Sequence, residues 1–229
     1  LKTLLIAGTD TDVGKTVVTA CLAAYCRTHR PQLSLGLMKL LQTGRGDREF
    51  YGGLFGEVVT PLVFSTPIAP PLAAAREGKR VDLSVVWQSL QNLVRERDLT
   101  LVEAIGGLGT PVTEELTVAD LASSWGLDCL LVVPVKLGAI GQAVANVALA
   151  RQSKVRLKGI ILSCVTPLSE AQIGDWTAID LIESLTTLPV LGTAPYLENL
   201  TDLERLSKVA STLDLEKILP RQLPLKANG

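Results

Sequence analysis

The run GTDTDVGKT, residues 8–16, lies between a short apolar stretch, TLLIA, and a longer segment, VVTACLAAYCRTHR, with helical spacing. No other feature constrains the chain so strongly. A buried strand, a Gly-bounded loop, GKT and a helix follow in the order a phosphate-binding loop requires. In that order the backbone N–H groups of the loop and the first helical turn converge on one anion. The usual pattern, G-x-x-x-x-G-K-[ST], is met except at its first position, where Thr9 stands and the glycine comes one residue earlier as Gly8. Val13 and Gly14 complete the cradle, Lys15 is placed to reach the terminal phosphates, and Thr16 to ligate Mg²⁺. Asp10 and Asp12 are the anomaly, because a loop that holds a polyphosphate gains nothing from its own negative charge.

The rest of the chain repeats the strand-then-helix rhythm. Strands are expected over 3–8, 33–41, 99–107, 127–136, 157–165 and in LPVLGTAPY, with helices over 14–30, 83–97, GAIGQAVANVALARQS, EAQIGDWTAIDLIESL and near TDLERLSKVASTL. The strand runs lack polar alternation, so both faces are covered, which is the mark of a parallel sheet. Alternating elements imply βαβ crossovers and a doubly wound α/β fold, a mostly parallel sheet flanked by helices, in one domain over 1–220 with a tail at 221–229. Such sheets bind ligands beyond the carboxyl ends of their strands. Residues 42–82, rich in Pro and Gly, break the rhythm and read as a long functional loop.

Composition narrows the partners. With 22 basic and 23 acidic residues the net charge is −1, which gives no electrostatic reason to expect nucleic acid or an anionic membrane. Mean hydropathy is +0.33, yet no apolar run approaches the roughly 20 residues of a membrane span. Cys21, Cys26, Cys129 and Cys164 form no CxxC pair and there is one histidine, His29, so the thiols suit a reducing compartment. LKTLLIAG is too short for a signal peptide, and the expected location is the cytoplasm. His29, Trp87, Trp125 and Trp176 fall in helical segments away from strand ends and are assigned to packing or surface.

Several strand ends carry charge. Glu103 closes LTLVE as a Mg²⁺-side carboxylate should, and Gly106 follows it where backbone would approach a ligand. Lys39 and Lys136 end apolar runs, where lysine is costly. Together with Lys15 they would make a cationic cluster for phosphoryl transfer. Asp47 is a further metal-side candidate. These elements establish nucleoside triphosphate chemistry and leave the acceptor open: a dimeric P-loop ATPase switch or a cobyrinate-type amidase-like ligase would share them. The partition and nitrogenase-type ATPases carry a signature Lys in KGGxGKT, and here the equivalent residue is Asp10.

Four blocks in order resemble dethiobiotin synthetase: GTDTDVGKT at 8–16, KLLQTG at 39–44, VEAIGG at 102–107 and VKLG at 135–138. The likeness runs over roughly residues 2–200. It implies an ATP-dependent cyclo-ligase. CO₂ adds to an amine of 7,8-diaminononanoate, the carbamate attacks the γ-phosphate, and the second amine closes a ureido ring on the mixed anhydride, releasing nucleoside diphosphate and phosphate. It implies Thr11, Lys15 and Lys39 at the transition state, Thr16, Asp47 and Glu103 on Mg²⁺, and Thr43 near the carbamate. Asp12, where many relatives have Glu, would face the amine or the metal, and Asp10 would brace the loop. The Gly138, Ala139 and Ile140 turn would bind the distal carboxylate, with part of that site coming from the second subunit of a homodimer. Pro195, Tyr196 and Leu197 would form the apolar side of the base pocket. Leu40 and Ala104 replace a Pro and a Gly of the family pattern, and Ser163 with Cys164 replaces an Asn-Asp pair whose Asn reads adenine.

Overall fold

The computed structural model describes residues 3–220, so the expected tail at 221–229 lies outside the described residues. In chain order the elements begin with β1 (Thr3–Gly8), α1 (Lys15–His29), β2 (Leu35–Lys39), β3 (Gln42–Thr43), α2 (Asp47–Phe55), β4 (Val63–Phe64) and α3 (Pro70–Arg76). Next come α4 (Leu83–Glu96), β5 (Leu99–Gly107), α5 (Val118–Ser124), β6 (Asp128–Pro134), α6 (Ala139–Gln152) and β7 (Arg156–Ser163). The described chain closes with α7 (Glu170–Trp176), α8 (Ile179–Thr186), β8 (Val190–Ala194), α9 (Leu203–Ala210) and α10 (Leu215–Ile218).

Six strands form one sheet in the order β2-β5-β1-β6-β7-β8, and every pairing is parallel. The missing polar alternation in the strands follows from their burial. Leu5 and Ala7 enter one core with α4, α5 and α6, while Leu4 and Ile6 enter a second core with α1 and α9. Successive side chains point to opposite faces, so a strand covered on both sides must be apolar throughout. β1 sits between β5 and β6: the chain leaves β1 for β2 at one edge, and after β5 it crosses to β6 and on toward the other. Its carboxyl end is thus the switch point where a ligand crevice forms.

Three expectations need correcting. Residues 42–82 are not an irregular loop, because they hold α2, α3 and the small parallel sheet β3-β4. The segment expected as one helix at 170–185 is two, broken where Thr177 closes α7 with its N–H on the Ile173 carbonyl at 3.0 Å and Ala178 turns extended. A short helix, α5, appears where none was expected. It starts at a reciprocal cap: Asp120 accepts from the Thr117 N–H at 2.8 Å, and Thr117 Oγ1 accepts from the Asp120 N–H at 3.3 Å.

Candidate active site

The loop after β1 is held from both sides. Thr9 donates its N–H to the Val132 carbonyl at 3.0 Å, and Leu108 donates to the Gly8 carbonyl at 3.2 Å. Gly107 allows the close approach: a Cβ there would lie 2.6 Å from the Thr9 carbonyl oxygen. Gly14 turns the chain into α1 at φ 94, and a Cβ on it would lie 2.1 Å from Ser163 Oγ. Only glycine suits both that dihedral and that contact. Asp10 braces the loop as expected, accepting from the Thr11 N–H at 2.7 Å through Oδ1 and from Lys15 Nζ at 2.8 Å through its carbonyl. Asp12 adopts a left-handed φ of 56, tolerable for aspartate, and is exposed.

Beside the loop, strand register places opposite charges together. Lys39 on β2 and Glu103 on β5 are direct partners in the parallel ladder, so their side chains share one face. Lys39 Nζ donates to Glu103 Oε1 at 2.8 Å and to the Ala104 carbonyl at 3.3 Å, and it pairs with Asp47. Thr16 Oγ1 lies 3.0 Å from Asp47 Oδ1 and 3.0 Å from Glu103 Oε1. Lys39 and Glu103 are 3% and 1% exposed, a depth at which charges persist because they are paired. Burial alone would lower the Lys39 pKa, but Glu103 and Asp47 hold it above the ordinary lysine range. Lys15 goes the other way. Burial, opposed by Glu103 and reinforced by the Lys39 ammonium, lowers it to about 8.

Asp47 reaches the cluster because a clasp shapes the turn before it. Gln42, which is buried, accepts from the Arg48 N–H at 2.8 Å and donates to the Gly44 carbonyl and to Glu49, each at 3.2 Å. Glu49 in turn accepts from the Gly46 N–H at 2.9 Å and caps α2. Tyr51, one helical turn beyond Asp47 on the same face of α2, donates its hydroxyl to Glu103 Oε2. Its phenol pKa is pushed well up by burial and by the neighbouring Glu103 charge.

These groups line one cleft of about 520 Å³ at the carboxyl ends of β1, β2 and β5. Thr11, Asp12, Gly14, Lys15, Thr16, Lys39, Thr43, Asp47, Glu103 and Gly106 all face it, joined by Arg45, which the sequence reading passed over. Val13 is buried and serves through its backbone. Other expected residues lie elsewhere. Lys136 is exposed and does not line the cleft, so the cationic cluster is Lys15 and Lys39 without it. Pro195, Tyr196 and Leu197 line a separate hollow of about 590 Å³ with Arg205 and Lys208. Ser163 is buried, pairs in register with Ala194 and packs against Gly14 rather than lining that hollow. Gly138, Ala139 and Ile140 open α6 outside both. Gln42 and Tyr51 were not among the expected site residues. Tyr51 carried a signal, its spacing from Asp47, which shows once that segment is read as a helix.

A family model described as an AAA domain matches residues 2–204. A protein of Gloeothece citriformis called an ATP-dependent dethiobiotin synthetase is 61% identical over 225 residues, covering 96% of this chain and 100% of its own length. The chain belongs to the dethiobiotin synthetase family. Relatives given the same name in Synechocystis and Gloeobacter violaceus are 56% and 45% identical, over 95% and 93% of this chain and 94% of each relative. Among solved structures, the MinC:MinD cell division complex of Aquifex aeolicus matches with TM-score 0.57 at 16% identity over 100% of both chains. A ParA family ATPase from Chlorobium tepidum matches at TM-score 0.56 and 13% identity, over 96% of this chain and 93% of that one. Those two likenesses carry the fold alone.

Proposed function

We propose that this cleft closes the ureido ring of dethiobiotin from 7,8-diaminononanoate, CO₂ and ATP, with the loop after β1 on the phosphates and Thr16, Asp47 and Glu103 on Mg²⁺. The observation that carries the reading is the buried cluster in which Lys39, Thr16, Asp47 and Glu103 meet beside Lys15 while the Asp12 carboxylate opens on the same cleft. A hydroxyl and two carboxylates are hard oxygen donors. They suit Mg²⁺, which completes its shell with phosphate oxygens and water, and no larger cluster of metal-binding side chains exists among the described residues. Bound there, Mg²⁺ would neutralise charge on the terminal phosphates.

The residues divide the remaining work. Asp12 faces the diamine, which answers the puzzle of an acid in a phosphate loop: the acceptor is the cation. An amine that has lost its proton adds to CO₂, and the carbamate oxygen, near Thr43, attacks the γ-phosphorus in line with the departing nucleoside diphosphate. Lys15, Lys39 and Thr11 stabilise negative charge on the transferring phosphoryl group, fixed in place before the reaction begins. The second amine then attacks the carbonyl carbon of the mixed anhydride, the carbon–oxygen bond breaks, and phosphate leaves with the electron pair.

Gly138, Ala139 and Ile140 open a helix of 14 residues whose first turn would hold the distal carboxylate, although the Ala139 N–H already donates to the Lys136 carbonyl at 3.0 Å. They stand outside the cleft, which supports a homodimer in which one subunit completes the other's substrate site. Among the described residues no helix is long and apolar enough to cross a membrane, and the reading places the enzyme in the cytoplasm.

The test is phosphate release from Mg·ATP with and without diaminononanoate and bicarbonate, followed by mass analysis. Release that needs both, with a dethiobiotin mass, is expected. Release indifferent to the diamine would leave an ATPase and remove the role given to Asp12.

A further inference from the structure

Three side chains surround the Glu103 carboxylate, and they do not share it evenly. Lys39 Nζ and Thr16 Oγ1 both approach Oε1, at 2.8 and 3.0 Å, on the cleft side. Tyr51 donates its hydroxyl to the other oxygen, Oε2, from behind. The tyrosine is 1% exposed and does not line the cleft, so it touches neither nucleotide nor substrate. Its ring has Phe50 and Phe55 as neighbours, with centroids 5.6 and 6.4 Å away. Asp47 and Tyr51 lie one turn apart on α2, so a single helix delivers one candidate metal ligand directly and grips the other through a hydrogen bond.

We propose that Tyr51 is a positioning residue: by binding Oε2 it fixes the torsion of the Glu103 carboxyl and presents Oε1 to the divalent cation. The proposal rests on the metal reading above. A carboxylate that ligates a cation through one oxygen still rotates about its last bond unless the second oxygen is held. Hydrogen bonds of this kind are worth about 10- to 100-fold in metal affinity or activity when removed. The same bond ties the pose of Glu103 to the docking of α2, so the two carboxylates are set together rather than separately.

The experiment measures Mn²⁺ binding by paramagnetic resonance of the free ion, in the presence of a non-hydrolysable ATP analogue. It compares the wild type, Tyr51→Phe, Glu103→Gln and the double variant. Tyr51→Phe keeps the ring and is expected to weaken Mn²⁺ about tenfold, with the unfolding temperature checked alongside. In the Glu103→Gln background the same change should have no further effect, because the carboxylate whose Oε2 it holds is gone and with it the Oε1 ligand that the bond positions. A packing defect would instead add to Glu103→Gln. Unchanged Mn²⁺ affinity in Tyr51→Phe, with affinity lost in Glu103→Gln, overturns the positioning role and leaves the metal reading standing. Unchanged affinity in Glu103→Gln overturns the metal reading and the proposal with it. If Tyr51→Phe folds poorly, Tyr51→Met fills the space without a hydroxyl and should show the same loss. Metal affinity equal to wild type in that variant also overturns the proposal.

Discussion

The cleft where phosphate would sit and the hollow expected to receive the base both follow carboxyl ends of sheet strands but are built differently. At the phosphate end, Lys39 and Glu103 are almost completely buried, each is bonded to more than one partner, and strand register dictates their meeting. At the base end, Tyr196 is 38% exposed and Ser163 turns into the loop rather than outward. The first end is preorganised for charge, because a buried ion cluster tolerates little rearrangement. The second is a hollow in which Pro195, Tyr196 and Leu197 are joined by the exposed charges Asp202, Glu204, Arg205 and Lys208. On the proposed reading, chemistry is determined at the phosphates, and the base contributes area more than identity.

The largest effect should come from breaking the rigid end. Lys39→Ala is expected to lower kcat by about 10²- to 10³-fold, the usual loss when one preorganised charge is removed from a transition state, with nucleotide affinity little changed. The free protein should also lose stability, because Glu103 would remain buried without its cation. Single-turnover phosphate release and equilibrium nucleotide binding separate the two contributions. An unchanged kcat would remove Lys39 from the catalytic set.

The hinge between the two ends is Gly14. Gly14→Ala must place a Cβ at φ 94 and 2.1 Å from Ser163 Oγ. Backbone strain and overpacking together should cost about 2–4 kcal/mol, read from the denaturant midpoint. Adding Ser163→Gly should recover the overpacking share and leave the strain. No recovery would mean that the two residues do not press on each other.

The contrast also explains what the sequence revealed. The six strands were legible because burial on both faces leaves unbroken apolar runs, as in TLLIA and LLVVP. The loop, Lys39 and Glu103 were legible because charge at the end of such a run is costly without a task. Helix α2 was not, since Gly52 and Gly53 lie inside it and lower its intrinsic propensity. Its support comes from the Glu49 cap at its own start, from Gln42 outside it, and from the contact of Tyr51 with Glu103. Lys136 was misjudged because a strand end does not say which way the chain turns next. It falls two residues beyond the β6 end, in the turn into α6, and is exposed. Ser163, the last residue of β7, is a nucleotide-contact candidate only because it stands where the family has an Asn, whereas its direction depends on how closely the loop before α1 approaches, which is tertiary information.

A smaller effect should follow from pH. In the free protein Lys15 titrates near 8, chiefly because it is buried, and a triphosphate beside it would raise that value. Below pH 8 both states carry the proton and affinity is flat. Above it the free protein has lost the proton that binding must restore, so Kd for a non-hydrolysable ATP analogue should rise about tenfold per pH unit. Folding runs the other way, gaining stability as pH rises. Between about 8 and 10.5 the unfolded chain binds a proton at Lys15 that the folded chain does not. Its stability penalty is therefore greatest below that window and fades within it. A Kd unchanged from pH 7 to 9.5 would show that Lys15 keeps its charge in the empty cleft.

The smallest effect tests the loose end. An asparagine side chain both donates and accepts, and can read two positions of a base edge, whereas serine offers one hydroxyl. Here even that hydroxyl is packed beside Gly14. Sites that bond a substrate's polar edge discriminate by orders of magnitude, and sites that merely cover it do not. ATP and the other nucleoside triphosphates should therefore give kcat/KM values within about threefold of one another in direct competition, less than about 0.7 kcal/mol. Ser163→Asn should not install a preference, because the larger side chain would press on the loop and disturb binding of every triphosphate alike. A strong ATP preference in the wild type would reverse the comparison: backbone groups around Pro195 and Tyr196 would then read the base, and the apparently loose end would be as specified as the phosphate end.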